Sequence, residues 1–290
     1  MNQKTNNTLV GLSAIPIWSL TPLLIVLIGP MSAFFMLGFR FLLSGIVLSF
    51  ASIVRGEGFF SQFKHPIGVW ILTLLGILLS QSVYIYALQH APTAEANMIN
   101  YVWPVYVILL GAWANKEKLY LRHYIGIVSG AIGCAVILLG DAGFAWKKEY
   151  ALGYILAFLG GTFWAVYQVY MRKFYQNEKS SVQGGPFLIY SLISFGLYYL
   201  SGSPLVVLTP ENWAYLLVFG LVPISYLFWE YGIKKGDYQA LAFCAYFIPL
   251  LSAILIVLVT DVTFSWSLFL GGALIVAAPL IGREKIQTVQ

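Results

Sequence analysis

Three ionisable residues lie inside long apolar stretches of the chain: Arg40, Glu95 and Glu230. A charged side chain in such a setting is costly and is usually retained for a function. Arg40 lies roughly 14 Å into its stretch at the helical rise of about 1.5 Å per residue, close to the middle. Its guanidinium could receive a substrate carboxylate as a bidentate pair, or it could be a structural pin bonded to backbone carbonyls or an acidic neighbour. Glu95 and Glu230 lie nearer the ends, where we expect structural or interfacial roles.

Aromatic and amide side chains share faces of several predicted helices. At helical spacing the groups are Trp164, Tyr167 and Gln168; Ser80, Gln81 and Tyr84; Asn100, Tyr101, Trp103 and Pro104; and Tyr246 with Pro249. Any one of these rings alone is more typical of core packing. Together they predict a central cavity for an apolar or aromatic solute with polar ends. The candidate binding residues are Trp103, Trp164, Tyr101, Tyr84, Asn100, Gln81, Arg40, Tyr167 and Tyr246.

The cysteines and histidines do not form a reactive or metal-binding pattern. Cys134 and Cys244 lie in separate apolar stretches, where a lone cysteine behaves as a small apolar residue. His65, His90 and His123 lie at the ends of stretches, without a carboxylate at ligand spacing. We therefore expect no metal, no disulfide and no cofactor. An integral-membrane enzyme would need His, Asp or Glu at depth, so we expect that the protein is not an enzyme.

Ten apolar segments carry these residues. Apolar residues make up 60% of the chain and charged residues 9%, with a mean hydropathy of +0.82, whereas soluble domains have about 25% charged residues. A window of about 20 residues, the length of a membrane helix, gives 8–28, 31–54, 66–88, 94–114, 121–140, 151–172, 184–201, 212–233, 238–260 and 264–282. Strands of a membrane barrel would be about ten residues long. The sequence therefore predicts an all-α, polytopic membrane protein of ten transmembrane helices in one membrane domain.

Basic residues predict which face of the membrane each connection occupies. With a cytoplasmic N-terminus, thirteen of the sixteen Lys and Arg residues lie inside: Lys4, Arg55, Lys64, Lys116, Lys118, Arg122, Arg172, Lys173, Lys179, Lys234, Lys235, Arg283 and Lys285. Lys147 and Lys148 lie outside, which follows the positive-inside rule and predicts that both termini are cytoplasmic. The first segment runs on without a small-residue cleavage site, so we expect it to stay in the mature protein rather than act as a signal peptide. Topology and anionic lipid explain the net charge of +5, so we expect no nucleic-acid partner.

The chain repeats itself at an offset of 145 residues. The matching pairs are Ser80/Ser225, Tyr86/Tyr231, Tyr101/Tyr246, Pro104/Pro249 and Gly126/Gly271, and with one residue of slack Trp18/Trp164. Each half, 1–145 and 146–290, holds five segments, and a unit with an odd number of spans must insert its second copy upside down. Inverted repeats are the usual architecture of alternating-access transporters. Glycines at close spacing in the fifth segment and at the equivalent place in the tenth predict that these two are packing helices.

Four short runs carry a resemblance to a known family: GLSAIPIWS at 11–19, NYVWP at 100–104, FWA at 163–165 and AYFIP at 245–249. In their order and spacing they resemble the drug/metabolite transporter superfamily, and specifically its EamA-type members, among them the bacterial aromatic amino acid exporters. The resemblance implies an inner-membrane carrier in which spans 1, 3, 4, 6, 8 and 9 surround a cavity that spans 5 and 10 support. It also implies that Trp103 and Trp164 line this cavity, with Tyr101 and Tyr84 beside them.

Several functions are consistent with these features. The first is a secondary transporter that exports small metabolites by alternating access, with amino acids of aromatic or apolar side chain as the expected substrates. The alternatives are a broad-specificity metabolite or drug exporter and a channel or facilitator, although a channel would need a continuous polar lining. The expected partners are a small-molecule substrate and the lipid bilayer. We expect a monomer or a weak homodimer in the bacterial inner membrane.

Overall fold

The computed structural model describes residues 2–29, 31–140, 147–179, 184–204, 208–259 and 266–282. Within these ranges the secondary structure is helical, without a β-strand, so the predicted all-α class is confirmed. Several predicted features lie outside the described residues. They are the basic residues Arg283 and Lys285, the last residue of the ninth segment, the first two of the tenth, and the boundary between the halves at 145/146.

Fifteen α-helices occupy the described ranges. In the first half these are α1 (Gln3–Leu12), α2 (Ala14–Ile28), α3 (Ala33–Val54), α4 (Ile67–Thr73), α5 (Ser80–His90), α6 (Thr93–Asn100), α7 (Trp103–Asn115) and α8 (Leu121–Leu139). In the second half they are α9 (Ala151–Tyr175), α10 (Gly184–Leu200), α11 (Pro210–Leu221), α12 (Ser225–Lys235), α13 (Tyr238–Ala245), α14 (Phe247–Val259) and α15 (Trp266–Gly282). A π-helical stretch, Leu74–Leu79, joins α4 to α5 without a break.

Seven helical stretches among the described residues are long and apolar enough to cross a membrane: Gln3–Ile28, Ala33–Val54, Ile67–Leu88, Leu121–Leu139, Lys148–Tyr175, Pro210–Lys235 and Tyr238–Val259. Two further apolar helices, α10 and α15, are shorter. The predicted segment 94–114 is not one continuous helix, because it is divided into α6 and α7 at Tyr101 and Val102. Pro104 explains the division, since it has no backbone N–H to bond the carbonyl of Asn100, four residues earlier.

The same interruption recurs in the second half of the chain. Tyr246 separates α13 from α14 and lies three residues before Pro249. Ser13, between α1 and α2, likewise lies three residues before Pro16. Each interruption lies one turn before its proline, where the i to i−4 bond is lost. Tyr101 and Tyr246, which are equivalent in the repeat, therefore occupy equivalent breaks.

Helices that are equivalent in the repeat pack directly on each other. The most extensive contacts in the described chain join α8 to α15 and α3 to α10. Ser129 Oγ donates to the carbonyl of Leu274, 2.9 Å away and 145 residues later. An ideal Cβ at Gly133 would lie 2.7 Å from the carbonyl oxygen of Gly271, and one at Gly271 would lie 2.7 Å from that of Gly133. The two backbones are thus in contact across a local two-fold relation.

Further contacts repeat between the halves. Helix α5 packs on α9 much as its equivalent α12 packs on α1, and α7 packs on α9 as α14 packs on α2. Side-chain hydrogen bonds add to the packing in both halves. Asn100 Nδ2, at the end of α6, donates to the carbonyl of Ala157 on α9 at 3.0 Å, and Ser252 Oγ on α14 donates to that of Ser19 on α2 at 3.0 Å. The arrangement of helices therefore keeps the sequence repeat in three dimensions.

Basic residues gather at one end of the bundle, which we call the basic end and define by Lys4, Arg172, Lys173, Lys234 and Lys235. Lys4 lies 3.7 Å from Asp237, and the Nζ of Lys173 lies 5.9 Å from the ring centre of Trp113. Nη1 of Arg172 donates to carbonyls at the end of α12, including that of Gly236 at 3.2 Å. These contacts join α1, α7, α9 and α12 at this end.

A buried ion pair lies within the basic end. Lys234 Nζ is 2.6 Å from Glu230 Oε1, and the two side chains are 5% and 3% exposed. The hydroxyl of Tyr167 also donates to Glu230, at 3.2 Å. Charged groups so far from water need compensating partners, and here the pair and the tyrosine supply them. Glu230 thereby links α9 to α12, which agrees with the structural role expected for it.

The contact between α8 and α15 predicts a strong effect of one methyl group. We expect Gly133→Ala to lower the free energy of unfolding by about 1–3 kcal/mol, the usual cost of overpacking, because the new Cβ would meet backbone of α15. Gly196→Ala is the matched control, since an ideal Cβ at Gly196 meets nothing within 4 Å. The measurement is the melting temperature of each purified variant in detergent, and equal melting temperatures for the two variants would contradict the packing.

The Glu230 and Lys234 pair predicts non-additive stability. Glu230→Gln or Lys234→Met alone leaves one buried charge without its partner, and each should cost about 3–5 kcal/mol. The double variant removes both charges, so we expect it to melt well above either single variant. Melting temperatures of the four proteins in one detergent provide the measurement. A double variant that loses the sum of the two single effects would show that the pair does not compensate its own charges.

Candidate functional site

A cavity of about 180 Å³ lies between eight helices. Its described lining residues are Trp18, Thr21, Pro22, Arg40, Ser80, Gln81, Tyr84, Asn97, Asn100, Tyr101, Trp103, Gly160, Trp164, Tyr226 and Ile248. They come from α2, α3, α5, α6, α7, α9, α12 and α14, with Tyr101 at the break between α6 and α7. None of them belongs to α8 or α15, the two helices for which the sequence predicted a packing role.

Seven of the nine candidate binding residues line this cavity: Arg40, Gln81, Tyr84, Asn100, Tyr101, Trp103 and Trp164. The structure places the other two outside the lining. Tyr167 is buried one turn further toward the basic end and donates to Glu230. Tyr246 is fully buried at the break before α14, and its ring occupies the space beside Gly130, where a Cβ would lie 2.4 Å from it. Both tyrosines therefore serve packing in this structure.

Indole and phenol rings form the boundary of the cavity on the side of the basic end. The ring of Trp18 lies 6.1 Å from that of Trp164, 5.6 Å from that of Tyr226 and 4.9 Å from that of Trp229, between centroids. The ring of Trp103 contacts Trp229 edge-on at 5.8 Å. The indole N–H of Trp229 donates to Gln168 Oε1 at 2.8 Å, which fixes the ring at the centre of this group. We call these five rings the aromatic layer.

Arg40 is the cationic residue of the cavity wall. Its side chain is 6% exposed, and Nη2 donates to the hydroxyl of Tyr226 at 3.3 Å. The guanidinium also lies over the ring of Phe219, 4.8 Å from its centroid. Its Nε–H is buried without a hydrogen-bond partner. The structural-pin hypothesis required a backbone carbonyl or an acidic neighbour, and within the described part of the chain the recorded partners of Arg40 are a phenol and two aromatic rings.

Amide side chains lie on the wall formed by α5, α6 and α9. The hydroxyl of Tyr84 donates to Asn97 Oδ1 in a close contact, and Asn100 Nδ2 bonds the backbone of α9 at 3.0 Å. Near the far end of the same helices, the hydroxyl of Tyr154 donates to Glu95. Glu95 is 4% exposed and is not among the lining residues. The wall therefore presents amides and a phenol to the cavity, while its carboxylate is bound elsewhere.

Some lining residues were missed from the sequence, although the repeat contained a signal for several of them. Tyr226 and Ile248 are 145 residues after Gln81 and Trp103, and Trp18 matches Trp164 with one residue of slack. These three are thus repeat partners of candidates that were chosen. The signal is incomplete, because Tyr246, the partner of Tyr101, does not line the cavity. Asn97 carried no such signal, because its equivalent is Ala242.

Helix pairs that are equivalent in the repeat are in contact on the basic-end side of the aromatic layer and separated on its cavity side. Toward the basic end, α9 packs on α12 and α7 packs on α13. In the repeat, the pair α9/α12 corresponds to α2/α5, and the pair α7/α13 corresponds to α14/α6. Among the described residues, these equivalent pairs make at most marginal contact, and residues of all four helices line the cavity instead. The cavity therefore lies between α2 and α5 and between α6 and α14, the helix pairs that would be in contact if the two halves packed identically.

The site holds ring faces, amides and one guanidinium, and this set is suited to binding. Within the described ranges no group of three or more His, Cys, Asp or Glu residues is placed to hold a metal ion. The carboxylates of Glu95 on α6 and Glu230 on α12 are bonded away from the cavity. The arrangement can hold a small solute with an apolar or aromatic part and a polar or anionic part.

Two relatives resemble this chain over nearly its whole length, and a third resembles it over a shorter part. The chain is 30% identical to the aromatic amino acid exporter YddG of Ancylobacter novellus, over 96% of this chain and 97% of that protein. It is 27% identical to the YddG of Escherichia coli K12, over 94% and 95% of the two chains. A riboflavin transporter of Brucella anthropi is 25% identical over 60% of this chain and 61% of its own.

A structural comparison and a family model lead to the same class of protein as these relatives. A solved crystal structure with 29% sequence identity matches this fold with a TM-score of 0.88 and covers 97% of this chain and 98% of its own. The model of the EamA-like transporter family matches twice, at residues 7–139 and 151–281, once in each half. The predicted family resemblance is confirmed: the chain belongs to the EamA-like transporter family.

Proposed function

We propose that this protein is a secondary transporter of the bacterial inner membrane that exports small metabolites by alternating access around the central cavity. The expected substrates are amino acids with aromatic or apolar side chains. The observation that carries the proposal is the aromatic layer, which borders the cavity and is joined there by amides and a guanidinium. The names of the relatives from Ancylobacter novellus and Escherichia coli, both aromatic amino acid exporters, support the substrate class.

The proposed topology has ten crossings in two inverted repeats, 1–145 and 146–290, with both termini in the cytoplasm. Packing of equivalent helices on each other supports the repeat, because a two-fold relation in the membrane plane brings such helices together. The gathering of basic residues at one end supports the orientation, with that end inside. The cavity is formed within one chain, so a monomer already contains the complete site.

In the proposed transport cycle, helix contacts at the basic end break while the equivalent contacts at the opposite end form. In this structure α9/α12 and α7/α13 are in contact at the basic end, so in the proposed orientation this state would be open toward the outside. Closing α2/α5 and α6/α14 while the first two pairs separate would expose the cavity to the cytoplasm. The breaks at Tyr101 and Tyr246 lie within the helices that must move, where a few backbone angles can absorb the change.

Two alternatives concern the range of substrates and the mode of passage. A broad-specificity metabolite or drug exporter is supported by the riboflavin transporter among the relatives. A channel would need an open polar path, whereas here the bond from Tyr167 to Glu230 and the aromatic layer close the basic end. Neither Glu230 nor Glu95 lines the cavity. We therefore propose that a solute gradient suffices to drive transport.

Flux through purified protein in liposomes tests the function. We expect saturable counterflow of labelled phenylalanine, because a carrier that alternates exchanges internal for external solute. A pH gradient should add little driving force, since the carboxylates are engaged outside the cavity. Single-channel currents would establish a channel, and preferential counterflow of riboflavin or a drug over phenylalanine would favour the broader exporter.

Two tryptophans should dominate the affinity for aromatic solutes. Trp103→Ala and Trp164→Ala each remove a ring from the cavity wall, and we expect KM for labelled phenylalanine to rise about tenfold or more, equivalent to about 1.4 kcal/mol. Trp266→Ala is the matched control, because Trp266 is 77% exposed on α15. Counterflow is measured at equal amounts of monodisperse protein. Unchanged KM and rate in both cavity variants would remove these rings from the site.

A further inference from the structure

Arg40 is a buried cation whose charge the described protein does not neutralise. Within the described ranges no salt bridge involves Arg40, although its side chain is 94% removed from solvent at 6% exposure. Burial of a charge without a counter-ion is unfavourable, because the charge loses its hydration and gains no partner. Glu230 shows the ordinary solution in the same bundle, since Lys234 lies 2.6 Å from it. Arg40 instead lines a cavity, from which a counter-ion can arrive.

The position of Arg40 is fixed by bonds on both sides of it. The hydroxyl of Ser191 donates to the carbonyl of Gly38 at 2.9 Å, which holds α3 on α10. One turn after Arg40, Ser44 Oγ donates to the carbonyl of Gly220 at 2.6 Å, which holds α3 on α11. The guanidinium is further constrained by the ring of Phe219, over which it lies. A receptor group held in this way loses little conformational freedom on binding.

Two donors near Tyr226 have unsatisfied hydrogen-bonding capacity. The Nε–H of Arg40 is buried without a partner, and so is the indole N–H of Trp18. Arg40 donates to the hydroxyl of Tyr226, and the ring of Trp18 lies 5.6 Å from the ring of Tyr226. Both residues line the same cavity, and an unpaired buried donor is costly, so an acceptor bound in the cavity would satisfy donors that the described protein leaves unpaired. The planar fork of a guanidinium matches a carboxylate in particular.

We propose that Arg40, together with the indole N–H of Trp18 in the same cavity lining, receives the carboxylate of the transported solute, so that the cavity selects solutes that carry one. This inference rests on the proposed transport function and specifies its substrate class. The aromatic layer accepts the side chain of the solute, and the amides of α5 and α6 face its remaining polar group. Amines and amides with the same ring lack the anion that Arg40 requires, and they bind weakly.

Competition experiments on the full-length protein in liposomes test this selectivity. Counterflow of labelled phenylalanine is inhibited with unlabelled phenylalanine, with phenylalaninamide, which replaces the carboxylate by a neutral amide, and with phenethylamine, which lacks it. For the unmodified protein we expect phenylalanine to inhibit at about tenfold lower concentration than either analogue. In Arg40→Gln this ratio should fall to near one, through weaker inhibition by phenylalanine. Arg40→Lys keeps the charge without the fork and should retain part of the ratio.

A second variant keeps the inference testable if Arg40→Gln does not fold. Trp18→Phe removes the indole donor and keeps a ring, and it should reduce the ratio while leaving inhibition by phenethylamine unchanged. Trp266→Phe, the same exchange at a residue that is 77% exposed on α15 and outside the lining, is the control and should keep the full ratio. Failure of the inference and failure of the transport function give different results. Equal inhibition by all three compounds in a protein that transports overturns the role of Arg40 alone, whereas absence of any phenylalanine counterflow or binding overturns both.

Discussion

The contact of each peripheral helix with its own equivalent is the constraint on which the rest of the structure depends. Gly133 and Gly271 allow the backbones of α8 and α15 to touch, and α3 meets α10 in the same way. Apolar side chains gain little by leaving lipid for one another, so close backbone approach carries much of helix association in a membrane. These two contacts fix the relation between the halves. The cavity then forms between the remaining helices of the two halves, which face each other at the centre of the bundle.

Most of the fold could be predicted from the sequence, because hydropathy and the repeat report directly on helices and their equivalence. The division of segment 94–114 was less predictable, since the proline reveals the lost hydrogen bond without showing whether neighbours hold the helix straight. For the site, helical spacing brought Trp164 and Tyr167 into one stripe, but the structure separates their roles. Tyr167 lies one turn deeper and meets Glu230, a partner on another helix that no local pattern identifies.

Glu230 and Arg40 are both charges buried away from water, but their burial is compensated in different ways. Glu230 is compensated within the protein by Lys234 and Tyr167 and so contributes to closing the basic end. Arg40 has an aromatic and phenolic environment that holds it in place without neutralising it. Sequence alone could not separate these cases, because both residues are single charges in apolar helices. The separation comes from tertiary contacts, which decide whether the counter-charge belongs to the chain or comes from outside.

The bond from Tyr167 to Glu230 has a thermodynamic consequence for the proposed transport cycle. If the two halves were identical, the inward-open and outward-open states would be related by a two-fold rotation and would have equal free energy, so each would be half populated at rest. Glu230 and Lys234 lie four residues apart on α12, so their ion pair can persist in both states, whereas the bond from Tyr167 joins α9 to α12 only while the basic end is closed. The position equivalent to Glu230 is Ile85, which cannot accept such a bond when the opposite face closes. In the proposed cycle this sequence difference between the halves would bias the empty carrier toward the state with its basic end shut.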